Sequence, residues 1–167
     1  FKKMKKLYVV GNKVSKSLSP TIFNYWFKKY NIKARYSYLE LTEKNFHNKI
    51  KDVLEKKDTL GLNVTIPFKN KIIKHLGKID AHAKKIGAVN CVTNKKTING
   101  TNTDWTGYYK TLPNIKKTKN RKVIILGYGG ASHAIHYVLK KRGFKDILIF
   151  NRSKKKIKYS KNTEYTK

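Results

Sequence analysis

The chain has 167 residues, with 40 Lys and Arg against 9 Asp and Glu, a formal net charge of +31. Hydrophobic residues make up 39% and aromatic ones 12%, enough for a packed core and too many for wholesale disorder. No stretch approaches the roughly 20 apolar residues of a membrane-spanning helix, and no signal-peptide h-region follows the basic start at residues 1–6. A single cysteine, Cys91, excludes an internal disulfide framework and a cysteine-only metal site. The expected setting is soluble and cytoplasmic, without membrane or metal.

Such a charge raises nucleic-acid binding first, and three observations count against it. Thirty-six of the forty basic residues are lysine, whereas base and phosphate recognition favours the planar fork of arginine. The lysines are spread along the whole chain, apart from runs such as Lys154-Lys155-Lys156. The chain is also heavy in Ile, Asn and Tyr, whose codons, like those of lysine, are AT-rich. Drift toward such codons puts lysine on solvated faces and leaves only nonspecific polyanion affinity. A basic nucleic-acid-binding module stays as a remote alternative; no specific nucleic acid is expected as partner.

Residues 6–10 read as a strand closed by Gly11-Asn12. Ser19-Pro20 opens a helix through Ile22, Phe23, Trp26, Phe27 and Tyr30, with Ser19 as N-cap and Pro20 at the first helical position. Residues 34–41 alternate as a strand. Residues 42–57 follow as a helix capped by Thr42, with Phe46, Ile50, Val53 and Leu54 on one face. A strand at residues 60–66 ends at Pro67, two short helices cover 68–76 and 80–86, and a strand covers 89–93. Residues 105–112 read as helical, with Asp104 a candidate cap. After Leu112-Pro113 the polar stretch 114–121 leads into a buried strand (122–126), a glycine turn (127–130), a helix (131–142) and another strand (146–150). This alternation predicts an α/β fold with a parallel or mixed sheet, ending in one βαβ unit.

Gly127-Tyr128-Gly129-Gly130-Ala131-Ser132 lies between a strand and a helix, the context in which a glycine-rich turn holds a pyrophosphate. Gly127 can take the tight turn and Gly129 lets the backbone approach the phosphates, which then lie against unpaired amides at the helix start. The plain alternative is a tight turn with no ligand. At the end of the next strand an NAD site would place an acid; here Asn151-Arg152-Ser153 offers an arginine and neutral donors, which suit a 2′-phosphate. NADP is therefore favoured over NAD.

Four further motifs are ambiguous singly. Ser17-Leu18-Ser19-Pro20 presents two hydroxyls at a helix start, a carboxylate cradle or simple capping. Asn63-Val64-Thr65-Ile66-Pro67-Phe68-Lys69 places Asn, Thr and Lys at a strand end, a polar site or merely a solvated lysine. Gly87-Ala88-Val89-Asn90 ends on an amide that could bind a hydroxyl or close a turn. Asn102-Thr103-Asp104, with Gly107 beyond, supplies one of the chain's 9 acids.

In this order, and followed by the glycine turn, these motifs resemble the shikimate dehydrogenase family from about Lys6 to Ser153. The resemblance implies an N-terminal mixed α/β substrate-binding domain (residues 1–105) and the first part of a Rossmann-type NADP-binding domain (residues 106–167), as in an N-terminal fragment. It implies reversible NADPH-dependent reduction of 3-dehydroshikimate to shikimate, a step of chorismate and aromatic amino acid biosynthesis. By position, Ser17 and Ser19 would hold the substrate carboxylate. Thr65, Lys69, Asn90 and Asp104 would contact the ring hydroxyls and the reacting oxygen, with Lys69 and Asp104 as the catalytic pair. Gly127, Gly129, Gly130 and Ala131 would hold the pyrophosphate, and Asn151, Arg152 and Ser153 the 2′-phosphate.

Two departures stand beside the likeness. The family continues with further strands and a C-terminal helix that returns a glutamine to the substrate site, and His133 stands where many relatives carry arginine. A relative accepting quinate, or an inactive truncated substrate-binding fragment, are the alternatives. A homodimer is one state open to the full-length form.

Overall fold

The computed structural model describes residues 3–113 and 121–151. The alternation of β1 (Lys5–Gly11) sends Leu7 and Val9 to one face and Tyr8 and Val10 to the other, and both faces are covered. It is flanked by two parallel partners, β2 (Ala34–Glu40) and β3 (Thr59–Val64). Parallel neighbours need long crossovers, and two helices supply them: α1 (Ser19–Lys29) between β1 and β2, and α2 (Phe46–Leu54) between β2 and β3. Beyond β3 the pairing turns antiparallel through β5 (Cys91–Asn94) and β6 (Ile98–Thr101), and the short β4 (Lys78–Ile79) closes the edge alongside β6. The spatial order is β2-β1-β3-β5-β6-β4, the mixed α/β sheet expected. The strands β4 and β6, of two and four residues, are too short for any hydrophobic period to announce them.

The main core lies between this sheet and α2. Phe46, Ile50, Val53 and Leu54 recur at helical spacing and are all buried, against Val10, Leu62, Val64, Phe68, Ile72 and Val92. The helix is shorter than the expected 42–57. Thr42 and Asn45 instead form a reciprocal turn, in which the Thr42 amide donates to Asn45 Oδ1 (2.9 Å) and the Asn45 amide to Thr42 Oγ1 (3.3 Å). At the far end the chain leaves the helix so that Asp58 can meet Lys6 at 2.9 Å beside the start of β3. The expected helix at 68–76 tightens to a 3-10 turn, Lys71–His75, because the Lys69 carbonyl is taken by the Val89 amide (2.8 Å). Ser19 is the first residue of α1 and not its N-cap; its amide donates to Ser17 Oγ at 3.2 Å. The helix α3 (Ala81–Ile86) is delimited by Asp80, whose carboxylate accepts from the amides of His82 and Ala83, and by Gly87 in the left-handed region at φ 73°.

The remaining elements are α4 (Asp104–Thr111), β7 (Lys122–Leu126), α5 (Gly130–Lys141) and β8 (Asp146–Phe150). Strands β7 and β8 pair in parallel around α5, the predicted βαβ unit, with Ile125, Tyr128, Leu139, Phe144, Ile147 and Ile149 forming a separate core. An aromatic clasp joins this unit to the larger sheet. The His82 ring stacks on Trp105 at 4.3 Å, and His82 Nδ1 lies 2.7 Å from the Tyr137 hydroxyl of α5.

Candidate active site

Strands β1 and β3 both end at one rim of the sheet, and the carboxyl ends of parallel strands are where α/β proteins place their ligands. A cavity of about 610 Å³ opens there. Ser17, Ser19, Thr65, Lys69 and Asn90 all line it, so five of the six expected substrate contacts converge. The loop after β1 brings the two serines, whose hydroxyls lie 3.1 Å apart, and adds Lys13 and Lys16 to the rim. Its anchor is Glu40, at the end of β2, which accepts the amides of Val14 (2.9 Å) and Ser15 (3.1 Å) through one carboxylate oxygen.

Those two amide donors hold the Glu40 carboxyl below the usual carboxylate range. A lowered folded-state value means that the anchor is fully effective above the ordinary carboxylate pKa and is lost as pH falls through the lowered one. Acid titration followed by amide hydrogen exchange should therefore show Val14 and Ser15 losing protection together. Glu40→Ala should produce the same loss at neutral pH.

The sixth residue, Asp104, meets the cavity from behind. Lys69 Nζ donates to Asp104 Oδ2 at 2.6 Å, and Asn90 Nδ2 donates to Oδ1 of the same carboxylate at 2.7 Å. Asn90 is fixed in turn by the Thr103 amide, which donates to its Oδ1 at 2.8 Å. The Lys69 side chain is only 11% exposed, so this pair is less screened by water than a surface ion pair. Asp104 opens α4 without capping it; Thr103 is the N-cap residue, and the side chain that accepts the first amides is that of the buried Asn102. Its Oδ1 accepts the Asp104 amide (3.0 Å), and its Nδ2 donates to the Ala88 carbonyl (2.9 Å). One amide side chain thereby ties the segment carrying Asp104 to the segment carrying Asn90. A held ammonium beside a carboxylate can stabilise negative charge developing on an oxygen and exchange a proton with it.

The glycine turn stands next to this pair. Gly127 has φ 86°, a conformation that favours glycine. A Cβ at Gly130 would come within 3.0 Å of the Lys69 Cβ and Cδ and press on the lysine that Asp104 holds. Helix α5 begins at Gly130 with Gly129, which has no side chain to cap with, at its N-cap, and a Cβ at Gly129 would meet nothing within 4 Å among the described residues. Open backbone at a helix start fits a pyrophosphate. Asn151 points back to the turn, its Oδ1 accepting the Tyr128 amide at 3.0 Å, and so ties the end of β8 to the glycine turn. Arg152 and Ser153, the other expected 2′-phosphate contacts, lie outside the described residues. Among the described residues no group of three or more His, Cys, Asp and Glu side chains is placed to hold a metal ion, and no helix is long and apolar enough to cross a membrane.

The motifs mark the residues that converge but not all of those that hold them. Glu40 carries no local signal for its role, because it acts on the backbone of a distant segment, whereas Asn102 stands in a motif and adds to its local bond a reach to the Ala88 carbonyl. Asn63, named in its motif, also lines the cavity.

Similarity to known proteins identifies the family. Residues 9–92 match the family model of the shikimate dehydrogenase substrate binding domain. The chain is 38% identical over 161 residues to the shikimate dehydrogenase (NADP(+)) of Clostridium botulinum, covering 93% of this chain and 62% of that protein. Shikimate dehydrogenase 1 from Peptoclostridium difficile superposes with a TM-score of 0.84 at 31% identity, covering 97% of this chain and 61% of that one. The Thermus thermophilus enzyme, solved in complex with NADP(H) and shikimate, gives a TM-score of 0.74 at 27% identity, over 90% of this chain and 57% of that one. The chain thus spans between 55% and 62% of the curated relatives' length. With the family model matched across the substrate-binding sheet and the site residues gathered at its rim, the chain belongs to the shikimate dehydrogenase family.

Proposed function

We infer that this chain carries the substrate site and the phosphate-binding turn of an NADP-dependent shikimate dehydrogenase, acting in the cytoplasm on shikimate and 3-dehydroshikimate. The observation that carries this reading is the meeting of Lys69, Asp104 and Asn90 at a cavity whose other wall is Ser17, Ser19 and Thr65. The distinct cores of the two sheets support a division near residue 105, into a substrate domain (1–105) and a nucleotide domain (106–167), with Ile86, Ala88 and Ala134 packed together across it.

In this reading the hydroxyls of Ser17 and Ser19 hold the substrate carboxylate, with Lys13 and Lys16 adding positive potential at the rim. Thr65 and Asn90 meet the ring hydroxyls. Lys69 keeps a proton at Nζ, beside the carbonyl oxygen that gains negative charge in the reduction, and gives it up as that charge grows; in the reverse direction its neutral amine takes the proton back. Asp104 aims Nζ and Asn90 aims Asp104. When bound, NADPH supplies the hydride. Gly127, Gly129, Gly130 and Ala131 would hold its pyrophosphate, and Asn151, Arg152 and Ser153 would border its 2′-phosphate.

Calorimetric titration of the polypeptide with shikimate, beside a spectrophotometric assay of NADP⁺ reduction, tests this reading. Saturable binding is expected, weakened at least about tenfold in a Ser17→Ala/Ser19→Ala variant that loses two hydroxyl contacts to a charged group. Absence of saturable binding would sink it. Binding without NADPH formation would point instead to a substrate-binding form that does not turn over.

A further inference from the structure

Tyr36 lies on β2, outside every motif discussed so far, yet it touches two residues that line the substrate cavity, Asn63 and Phe23. It is 2% exposed, its ring stacks on Phe23 of α1 at 4.7 Å and 7° between planes, and Phe23 itself lines the cavity. Its backbone is clamped on both sides by one side chain. Asn24 Nδ2 donates to the Tyr36 carbonyl (2.8 Å), and the Tyr36 amide donates to Asn24 Oδ1 (2.9 Å). A ring held by a stack and a two-point clamp has a fixed hydroxyl, and that hydroxyl donates to Oδ1 of Asn63 at 2.7 Å.

We propose that Tyr36 is a positioning residue for ligand recognition, which locks the Asn63 side chain with its carbonyl inward so that its NH₂ faces the ligand as a hydrogen-bond donor. An amide side chain has two ends of opposite polarity, and rotation by half a turn exchanges them. A buried phenol proton needs an acceptor, and only the oxygen end supplies one. Burial pushes the Tyr36 phenol further above its ordinary value, so it keeps the proton that makes it a donor. The consequence is a cavity wall made of donors: the Asn63 amide joins the hydroxyls of Ser17, Ser19 and Thr65 and the ammonium groups of Lys13 and Lys16. Such a wall suits an oxygen-rich, carboxylate-bearing ligand. This rests on the site proposed above.

Two measurements separate the two ideas. The first uses no ligand. The ¹⁵N relaxation of the Asn63 side-chain amide should show an ordered group in the parent chain and a mobile one in Tyr36→Phe, which keeps the ring and its stack. An equally ordered Asn63 amide in Tyr36→Phe, or a mobile one in the parent, overturns the proposal whatever the chain binds. The second is shikimate affinity by calorimetry. Tyr36→Phe should weaken binding about fivefold, the share of one neutral hydrogen bond, and should have no further effect in an Asn63→Ala background. A merely structural role for Tyr36 would instead add its loss to that of Asn63→Ala. Asn63→Asp keeps an acceptor for Tyr36 but turns an acceptor toward the ligand, so it should weaken binding more than Tyr36→Phe does. Tolerance of Asn63→Asp overturns the donor assignment. Failure of the parent to bind shikimate at all counts against the site as read above, while the relaxation measurement still decides the role of Tyr36.

Discussion

Lys69→Ala is expected to lower the turnover of shikimate by about a thousandfold, within the range that a positioned proton donor contributes, while shikimate affinity stays within about threefold of the parent because other polar groups still hold the ligand. The asymmetry follows from the geometry. Ser17, Ser19, Thr65 and Asn90 line the cavity independently of Lys69, so ground-state contacts survive its removal. The lysine is the group whose charge matters most when the reacting oxygen becomes negative. Asp104 is left without its 2.6 Å partner, and its carboxylate then faces the developing charge unscreened, which deepens the loss. Lys69→Arg is not expected to rescue. The guanidinium keeps the charge but is wider than an ammonium, does not release a proton at accessible pH, and enters a space already bounded by Gly130. The measurement is steady-state NADP⁺ reduction with the polypeptide as its gene encodes it, beside calorimetry for affinity. Unchanged turnover in Lys69→Ala would remove Lys69 from the chemistry, and a large loss of affinity with turnover retained would make it a binding residue only.

How far the site could be read in advance depended on the range of the interaction that builds it. Ser17, Thr65, Lys69, Asn90 and Asp104 sit in short motifs whose order along the chain marks them, and the structure brings them together. The groups that hold them are joined through space: Tyr36 to Asn63 across 27 positions, Glu40 to Val14 across 26. No period or cap pattern encodes such a pairing; it appears only once β1, β2 and β3 lie side by side. Local errors have local causes. A serine before a proline marks a helix start but does not say whether it is the cap or the first residue, and in α1 the hydroxyl two positions earlier does the work. The run after Leu54 contains no glycine or proline to stop a helix, so α2 ends for a tertiary reason, the ion pair of Asp58 with Lys6. The strand–helix–strand alternation of β1 to β3 and the βαβ unit were the most legible parts; the antiparallel half of the sheet, with the short β4 and β6, was not.

Phe68→Ala is expected to be the most damaging single truncation near the site, costing about 3–5 kcal/mol of stability, the usual range for emptying a buried phenylalanine. Phe68 is wholly buried and stacks on Phe46 of α2, with centroids 4.2 Å apart and planes 12° from parallel. Against a typical total of about 5–15 kcal/mol, that loss removes roughly a fifth or more of what holds such a domain folded. The position also matters beyond the core. The Phe68 amide donates to the Thr65 carbonyl at 2.9 Å, and the next residue is Lys69, so the ring is the plug that seats the turn carrying both. A void beneath that turn loosens two ligand contacts at once, and shikimate affinity should fall along with the urea midpoint. Phe46→Ala should cost a similar amount from the other side of the stack. Because both truncations open the same cavity, the double variant should lose less than the sum of the singles. Truncating the exposed Leu126, with 81% of its surface in water among the described residues, should change stability by less than about 0.5 kcal/mol. Chemical denaturation of the four variants decides the matter: equal midpoints for Phe68→Ala and Leu126→Ala would mean that the Phe46–Phe68 stack is not what fixes the Lys69 turn.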